Sequence, residues 1–300
     1  MREELFKNCT LCPRKCNVNR LEGKRGYCGM DSTIRAARAA LHMWEEPCIS
    51  GKKGSGAVFF SGCGLRCCFC QNRDIAIGDS GKEISVERLA EIFLELQEKG
   101  AANLNLVTGA HYVPHIISAL ELARGKGMNL PVVYNSSGYE SVETIRRLDG
   151  YVDVYLPDMK YMEPELAAAF SNARDYPQAA QSAIAEMMHQ TGPCQFAEDG
   201  YIKRGTIVRH LILPGHTKNS IAVLKYLYRT YGEDIFISVM NQYTPVWKNE
   251  KFPELNRKVT RREYEKVLDA AIELGIENGY FQEGETAEES FIPAFDYEGV

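Results

Sequence analysis

Short apolar segments alternate with longer amphipathic segments through most of the chain after residue 57. The short segments have the length and β-branched content of buried strands, whereas the longer ones repeat their apolar residues every three or four positions, as helices do. Ser85 can cap one such helix, and Thr260 with Glu263 forms the capping-box sequence of another. The predicted strands are residues 57–61, 103–107, 131–134, 152–156, 206–213 and 235–240, with a weaker one near Tyr280.

Strands that alternate with helices predict an α/β fold, in which helices cover the outer side of a parallel sheet. About six strands are too few for a closed eight-stranded barrel, so we predict an open, partial TIM barrel with outer helices. The alternative is a doubly wound sheet, but its fingerprint G-x-G-x-x-G is missing from the first helix. Residues 171–205 interrupt the pattern and predict an inserted helix and loop at the barrel rim. We expect a cysteine-rich N-terminal segment over residues 1–50 and the barrel over residues 51–300.

Composition and charge narrow the class of protein. Apolar residues make up 45% of the 300 residues, which is enough for a sizeable core. The net charge of −5, without a block of like charge, argues against binding to nucleic-acid phosphates. The sequence begins without an apolar signal segment and has no run of about 18 apolar residues. We therefore expect a soluble, cytoplasmic protein that binds neither nucleic acid nor a membrane.

The ten cysteines carry the strongest chemical signal, because clustered cysteines in a reducing compartment usually bind metal. Cys63, Cys67 and Cys70 follow the first predicted strand, so one tight loop supplies three thiolates. Three thiolates can hold three corners of a cubane iron–sulfur cluster, whereas a cluster used for electron storage normally has four cysteine ligands. The fourth iron would then be kept for a ligand from solution.

A structural zinc ion is the alternative for this loop, and it requires a fourth ligand. Cys68 is the nearest candidate. Adjacent cysteines rarely both reach one tetrahedral metal, so we predict that Cys68 does not bind the metal.

The cysteine loop, with Phe69 directly before Cys70, resembles the signature of the radical S-adenosylmethionine (SAM) enzymes. The resemblance implies a partial TIM barrel and a 4Fe-4S cluster whose open iron is chelated by the amino and carboxylate groups of SAM. It also implies that one electron cleaves SAM to methionine and a 5′-deoxyadenosyl radical. Over nearly its whole length the chain is similar to the pyruvate formate-lyase activating enzyme-like group, through the segments CTLCPRKC, WEEPCISGKKGSG, VRHLILPG and FQEGETAEESFIPAFD.

The same resemblance assigns residues around SAM, most of them at the ends of predicted strands. The turn 108–110 lacks the carboxylate of the corresponding family turn, so backbone carbonyls or His111 would accept hydrogen bonds from the methionine amino group. Asn135 stands where glycyl-radical activating enzymes have an acidic ligand of a monovalent cation, which leaves open whether a cation binds near Asp158. The positions assigned to SAM binding are Phe69, Thr108, Gly109, Ala110, Asn135, Ser136, Asp158, Lys160 and Arg209.

A second cysteine group lies near the start of the chain and consists of Cys9, Cys12, Cys16 and Cys28. This segment has little apolar content, so a bound metal would be needed to order it. Zinc and a second iron–sulfur cluster both fit four thiolates. We favour a structural metal that is dispensable to the radical step, because the linker to the first strand imposes no docking position.

These observations favour a radical SAM enzyme of the activating-enzyme-like, oxidoreductase type. It would receive an electron from a flavodoxin- or ferredoxin-like donor and remove hydrogen from a glycyl-radical protein or a small molecule. The alternative is a non-catalytic iron–sulfur or zinc scaffold, or an electron-transfer protein.

Overall fold

The computed structural model describes residues 4–78, 80–282 and 293–300. Its strands are β1 (Ile34–His42), β2 (Ser55–Phe60), β3 (Lys82–Ile84), β4 (Leu104–Val107), β5 (Val132–Ser136), β6 (Val154–Pro157), β7 (Gln195–Phe196), β8 (Ile202–Leu211), β9 (Phe236–Met240) and β10 (Gly279–Phe281). Its helices are α1 (Glu4–Lys7), α2 (Pro47–Ser50), α3 (Arg73–Ala76), α4 (Val86–Glu98), α5 (Val113–Gly125), α6 (Val142–Arg147), α7 (Pro164–Ser171), α8 (Tyr176–Thr191), α9 (Thr217–Tyr231) and α10 (Arg261–Leu274). No helix in the described part of the chain is both long enough and apolar enough to span a membrane.

The strands form one twisted sheet in the order β10-β9-β8-β6-β5-β4-β2-β1-β3, with β7 paired to β8. Neighbouring strands from β2 to β10 along this order are parallel. These are the six predicted strands and the weaker one near Tyr280. In the described residues, β10 and β3 end the sheet without pairing to each other, so the barrel is open. The predicted α/β fold is confirmed.

Two antiparallel strands extend the sheet beyond β2 and were not predicted. β1 pairs with β2, with Leu41 opposite Gly56, and β3 pairs with β1. The C-terminal residues run along β1, where the Ala39 N–H donates to the Glu298 carbonyl at 2.8 Å. The sheet therefore includes residues that precede position 51.

The interpretation of residues 171–205 as an insertion at the rim is wrong for helix α8. This helix packs against β6 and β8, as a crossover helix does. It buries Ala183 and Met187 in the core, so it belongs to the outer helical layer.

The lower end of the barrel, where the parallel strands begin, is filled by the segment that joins β1 to β2. Cys48 and Ile49 of α2 pack inside the barrel against apolar residues that include Val133 and Val154. Glu45 lies in the same segment, shortly before α2, and accepts hydrogen bonds from the strand residues Asn105 and Asn135. The upper end remains available for polar chemistry, as is usual for this architecture.

Candidate active site

The cysteine loop leaves the carboxyl end of β2 and is held by contacts with distant segments. Ser171, the last residue of α7, donates from its Oγ to the Cys67 Sγ at 2.9 Å. The Leu65 N–H donates to the Cys63 Sγ at 3.4 Å. These hydrogen bonds fix the positions of two sulfur atoms of the loop.

The three predicted ligand thiols lie close enough to affect one another. Burial raises the pKa of Cys67 to about 11. Lys160 opposes this increase, and Cys63 adds to it. Burial raises the pKa of Cys70 to about 12, with further increases caused by Cys67 and Cys63. Such a group of buried thiols ionises readily only when a cation neutralises it. The donor set therefore fits an iron–sulfur cluster.

Cys68 has different surroundings from the other three cysteines of the loop. Burial raises the pKa of its thiol, while Asn249 and Lys251 act to lower it. Its N–H donates to the Phe170 carbonyl at 2.8 Å. In the described ranges, no three His, Cys, Asp or Glu side chains are placed to hold a single metal ion. A cluster whose irons take one thiolate each does not need such convergence on one point.

A charged network spans the barrel interior and centres on Arg209 of β8. Its Nε donates to Asp158 at 3.1 Å, its Nη1 to Glu45 at 3.1 Å and its Nη2 to Asn135 at 2.6 Å. The Lys160 Nζ donates to the other oxygen of Asp158 at 2.6 Å. Because the planar guanidinium has donors in fixed directions, it sets the relative positions of three acceptors at once.

Asp158 and Lys160 of this network are charged at neutral pH. Burial would raise the pKa of Asp158, but Lys160 and Arg209 outweigh burial and lower it. Burial would lower the pKa of Lys160, but Asp158 and Cys67 outweigh burial and raise it. Asp158 and Lys160 therefore keep opposite charges. Counted formally, the two carboxylates and the two cations of the network sum to zero.

A cavity of about 240 Å³ lies between the cysteine loop and the charged network. Asp158 and Lys160 follow β6 and Asn135 lies near the end of β5, so polar groups collect at the carboxyl ends of parallel strands. The predicted site residues that line the cavity are Cys67, Phe69, Cys70, Asn135, Asp158, Lys160 and Arg209. The cavity is also lined by Met240 and Gln242 at the end of β9.

Other residues assigned to SAM do not line this cavity. Thr108 adopts a left-handed conformation with φ 60°, and its N–H donates to the Asn135 carbonyl at 2.9 Å. Gly109 is pressed against α5, because an added Cβ would lie 2.6 Å from the Ile116 Cδ1. Ser136 is buried and accepts a hydrogen bond from the Gly138 N–H at 3.1 Å. Thr108, Gly109, Ala110 and Ser136 are absent from the cavity lining.

The His111 ring, which follows the turn 108–110 and is one of the two possible acceptors, does not line the cavity. Its Nε2 lies 2.7 Å from the Ser61 carbonyl, to which it donates. Burial, assisted by Arg20, lowers the pKa of His111 to about 3. The ring is therefore neutral, and backbone carbonyls of the turn remain the available acceptors.

Glu45 is a member of the charged network that the sequence analysis did not assign. Its Oε2 accepts from Arg209 and its Oε1 accepts from Asn135 at 3.1 Å. Its side chain is only 8% exposed. Glu45 lies in the segment WEEPCISGKKGSG, where paired glutamates before a proline are the only visible signal.

The N-terminal cysteine segment packs directly on the cysteine loop. The Arg14 Nε donates to the Gly64 carbonyl at 2.8 Å, and its guanidinium lies 4.0 Å from the centre of the Tyr27 ring. Gly62 has φ 92° and no room for a side chain, because an added Cβ would lie 2.5 Å from the Met30 Cγ. The linker between the N-terminal cysteines and the first predicted strand did not predict where this segment docks, because the docking position depends on contacts between residues far apart in sequence.

The four N-terminal thiols lie near one another but lack the placement of a single metal-ion site. Burial raises the pKa of Cys12 to about 12, and Cys28 and Cys9 contribute to this increase. The Tyr27 N–H donates to the Cys16 Sγ at 3.2 Å. An added Cβ on Gly64 would lie 3.7 Å from the Cys12 Sγ, so this thiol borders the cysteine loop.

Comparison with known proteins gives two related sequences. A relative from Methanocaldococcus jannaschii, named only as an uncharacterised protein, is 31% identical over 276 residues, which cover 90% of this chain and 75% of the relative. The pyruvate formate-lyase-activating enzyme of Clostridium pasteurianum is 27% identical over 113 residues, covering 36% of this chain and 46% of that enzyme. The second match is therefore partial.

The fold is also found in solved structures. The crystal structure of HydG, a maturase of the [FeFe]-hydrogenase, superposes with a TM-score of 0.51 at 16% identity, covering 77% of this chain and 52% of HydG. The chain spans about half the length of the solved structures that it matches. The sequence model that describes the radical SAM superfamily matches residues 57–227. This chain therefore belongs to the radical SAM superfamily.

Proposed function

We propose that this chain cleaves SAM reductively at a 4Fe-4S cluster held by Cys63, Cys67 and Cys70. Membership in the superfamily implies both cofactors. The observation that carries the residue assignment is that Cys67 and Cys70 line the same cavity as Asp158 and Arg209. The resulting 5′-deoxyadenosyl radical would remove a hydrogen atom from the substrate.

When bound, the cluster supplies the electron that breaks a carbon–sulfur bond of SAM. The surrounding side chains bind and orient the cofactor. Lys160 and Arg209 would attract the methionine carboxylate. Asp158 accepts from both cations, and its negative charge would attract the ammonium group of SAM. A network whose own charges sum to zero suits the zwitterionic amino-acid part of SAM.

Asn135 acts by positioning Arg209. Its amide oxygen accepts from Arg209 at 2.6 Å and its amide nitrogen donates to Glu45 at 3.1 Å. Both ends of this amide have partners within the protein. Asn135 and Glu45 therefore hold the guanidinium in a fixed direction at the cavity.

The partial resemblance to the pyruvate formate-lyase-activating enzyme supports a glycine of a partner protein as the hydrogen donor. A small molecule is the second substrate class, because the cavity is also lined by Met240 and Gln242, which belong to neither the cysteine loop nor the charged network. The electron donor is a flavodoxin- or ferredoxin-like protein.

The proposed function is tested with wild-type protein reconstituted anaerobically with iron and sulfide. Addition of dithionite and SAM should release 5′-deoxyadenosine and methionine in equal amounts, as measured by liquid chromatography and mass spectrometry. The same mixture without dithionite is the control. A reduced, fully loaded protein that releases neither product would support a non-catalytic metal scaffold.

We further propose that Cys9, Cys12, Cys16 and Cys28 hold a structural metal that supports the cysteine loop. The four thiols do not converge on one point in this structure, and we propose that binding of the metal draws them together. Changing Cys12 and Cys16 together to Ala should remove one class of metal and slow SAM cleavage without abolishing it, because Arg14 and Met30 support the loop from this segment. Metal analysis of the wild type checks the assignment. About one zinc and about four irons per chain would support it, whereas about eight irons without zinc would establish a second cluster.

A further inference from the structure

A shallow groove of about 390 Å³ lies on the surface beside the cysteine loop and is separate from the charged network. The thiol-bearing residues Cys67, Cys68 and Cys70 line one side of it. Residues 247–251, which follow β9, line the other side. A molecule that enters this groove therefore contacts the loop that carries the proposed cluster ligands.

The groove is strongly basic on a protein whose net charge is −5. The cations that line it are Arg66, Arg73, Lys248 and Lys251. All four are exposed, and none forms an ion pair with another residue of the described ranges. Glu250 is the single acidic residue among the described lining residues. A local positive field of this kind speeds encounter with an acidic protein and orients it.

Trp247 connects the surface of the groove to the cysteine loop. Its indole N–H donates to the Cys70 carbonyl at 3.1 Å, while 39% of the residue is exposed. The Arg73 guanidinium lies 5.3 Å from the centre of the Trp247 ring, which holds the ring in place. The exposed indole thus offers a flat aromatic surface next to a backbone atom of a proposed ligand residue.

We infer that this groove docks a reduced, acidic flavodoxin that supplies the electron for SAM cleavage. The inference rests on the proposed function. The four cations complement an acidic protein surface, and the exposed indole can pack against the edge of a flavin ring, which an iron–sulfur carrier lacks. One electron leaves the anionic flavin hydroquinone, which becomes the neutral semiquinone, and the group held by the three thiols receives that electron.

The test reverses two exposed charges that belong to neither the cysteine loop nor the charged network. The double variant Lys248→Glu/Lys251→Glu is compared with Lys225→Glu/Lys266→Glu, which makes the same charge change on helices α9 and α10. Binding of flavodoxin to each cluster-loaded protein is measured by calorimetry at low and high salt. Release of 5′-deoxyadenosine is measured with reduced flavodoxin and, separately, with dithionite, which needs no docking surface.

We expect the groove variant to bind flavodoxin at least tenfold more weakly, with a shallower salt dependence, and the α9–α10 variant to bind like the wild type. Flavodoxin-driven release should fall at least tenfold in the groove variant, whereas dithionite-driven release should match the wild type. Unchanged flavodoxin affinity, or an equal loss with both reductants, would overturn the inference.

Other occupants give different results. Tighter binding of a ferredoxin than of flavodoxin, or binding of a single-stranded oligonucleotide in place of flavodoxin, would also overturn the inference. If the wild type released no 5′-deoxyadenosine with either reductant, the proposed function would fail. The binding comparison would then decide the docking surface by itself.

Discussion

Replacing Cys63, Cys67 or Cys70 singly with Ala should abolish the release of 5′-deoxyadenosine, whereas Cys68→Ala should retain it. Each of the first three variants leaves only two of the three predicted ligand thiolates. Burial also raises the pKa values of Cys67 and Cys70, so these thiols need a bound cation to ionise. Two thiolates cannot keep three irons of a cubane cluster in place. Product release and iron content are measured on the same reconstituted samples.

Cys68→Ala is the matched control because it removes an adjacent thiol from the same loop. The Cys68 N–H bond to the Phe170 carbonyl survives the change, since it involves backbone atoms alone. We expect near wild-type iron content and activity for this variant. If Cys68→Ala were as inactive as Cys67→Ala, the assignment of three ligands with one open iron would be wrong.

Arg209→Ala should weaken SAM binding at least tenfold, or by about 1.4 kcal/mol. The change removes the common partner of Asp158, Glu45 and Asn135. Loss of one member of a buried ion pair typically costs about 3–5 kcal/mol, because the remaining charge is left uncompensated. Thermal unfolding should therefore occur at a lower temperature, while iron content stays near the wild type. Equilibrium dialysis with labelled SAM measures the affinity.

The pH dependence of the Arg209 variant separates an electrostatic effect from general damage. In the wild type, Lys160 and Arg209 outweigh burial and lower the pKa of Asp158. The stability that this carboxylate contributes is present above its unfolded pKa and is lost as the pH falls through its lowered folded pKa. Without Arg209 that loss should begin at a higher pH.

Arg204→Ala is the control for Arg209→Ala, because both residues lie in β8. Arg204 is exposed and donates to the Thr191 carbonyl at 3.1 Å, outside the barrel cavity. We expect unchanged SAM affinity for this variant. An equal loss of affinity in both arginine variants would show that Arg209 supports the strand rather than the cofactor.

The regular part of the fold could be predicted because its signal is local. Strands such as Val132–Ser136 are short and apolar, and the Thr260 cap of α10 is visible in the sequence. β1 was missed because its sequence IRAARAALH has four alanines and little β-branched content. Its extended conformation is stabilised by pairing with β2 and by the backbone of Glu298, which are contacts that no local pattern reveals.

The site shows the same division between local and distant signals. The spacing of Cys63, Cys67 and Cys70 is a local signal, and this assignment remains a prediction for the experiments above. Glu45 and the docking of Arg14 on Gly64 depend on how segments far apart in sequence meet, so spacing could not reveal them. Most of the segment FQEGETAEESFIPAFD lies outside the described residues, and its part in the resemblance stays a sequence observation.

The central claim is that three thiolates hold the cluster and leave one iron for SAM. Electron–nuclear double resonance on the reduced protein, with SAM labelled with ¹⁵N at its amino group, tests this claim most directly. We predict a hyperfine coupling between the labelled nitrogen and the cluster in the wild type. Bound SAM that shows no coupling to a reduced cluster would contradict the claim, because the fourth iron would then not be open to it.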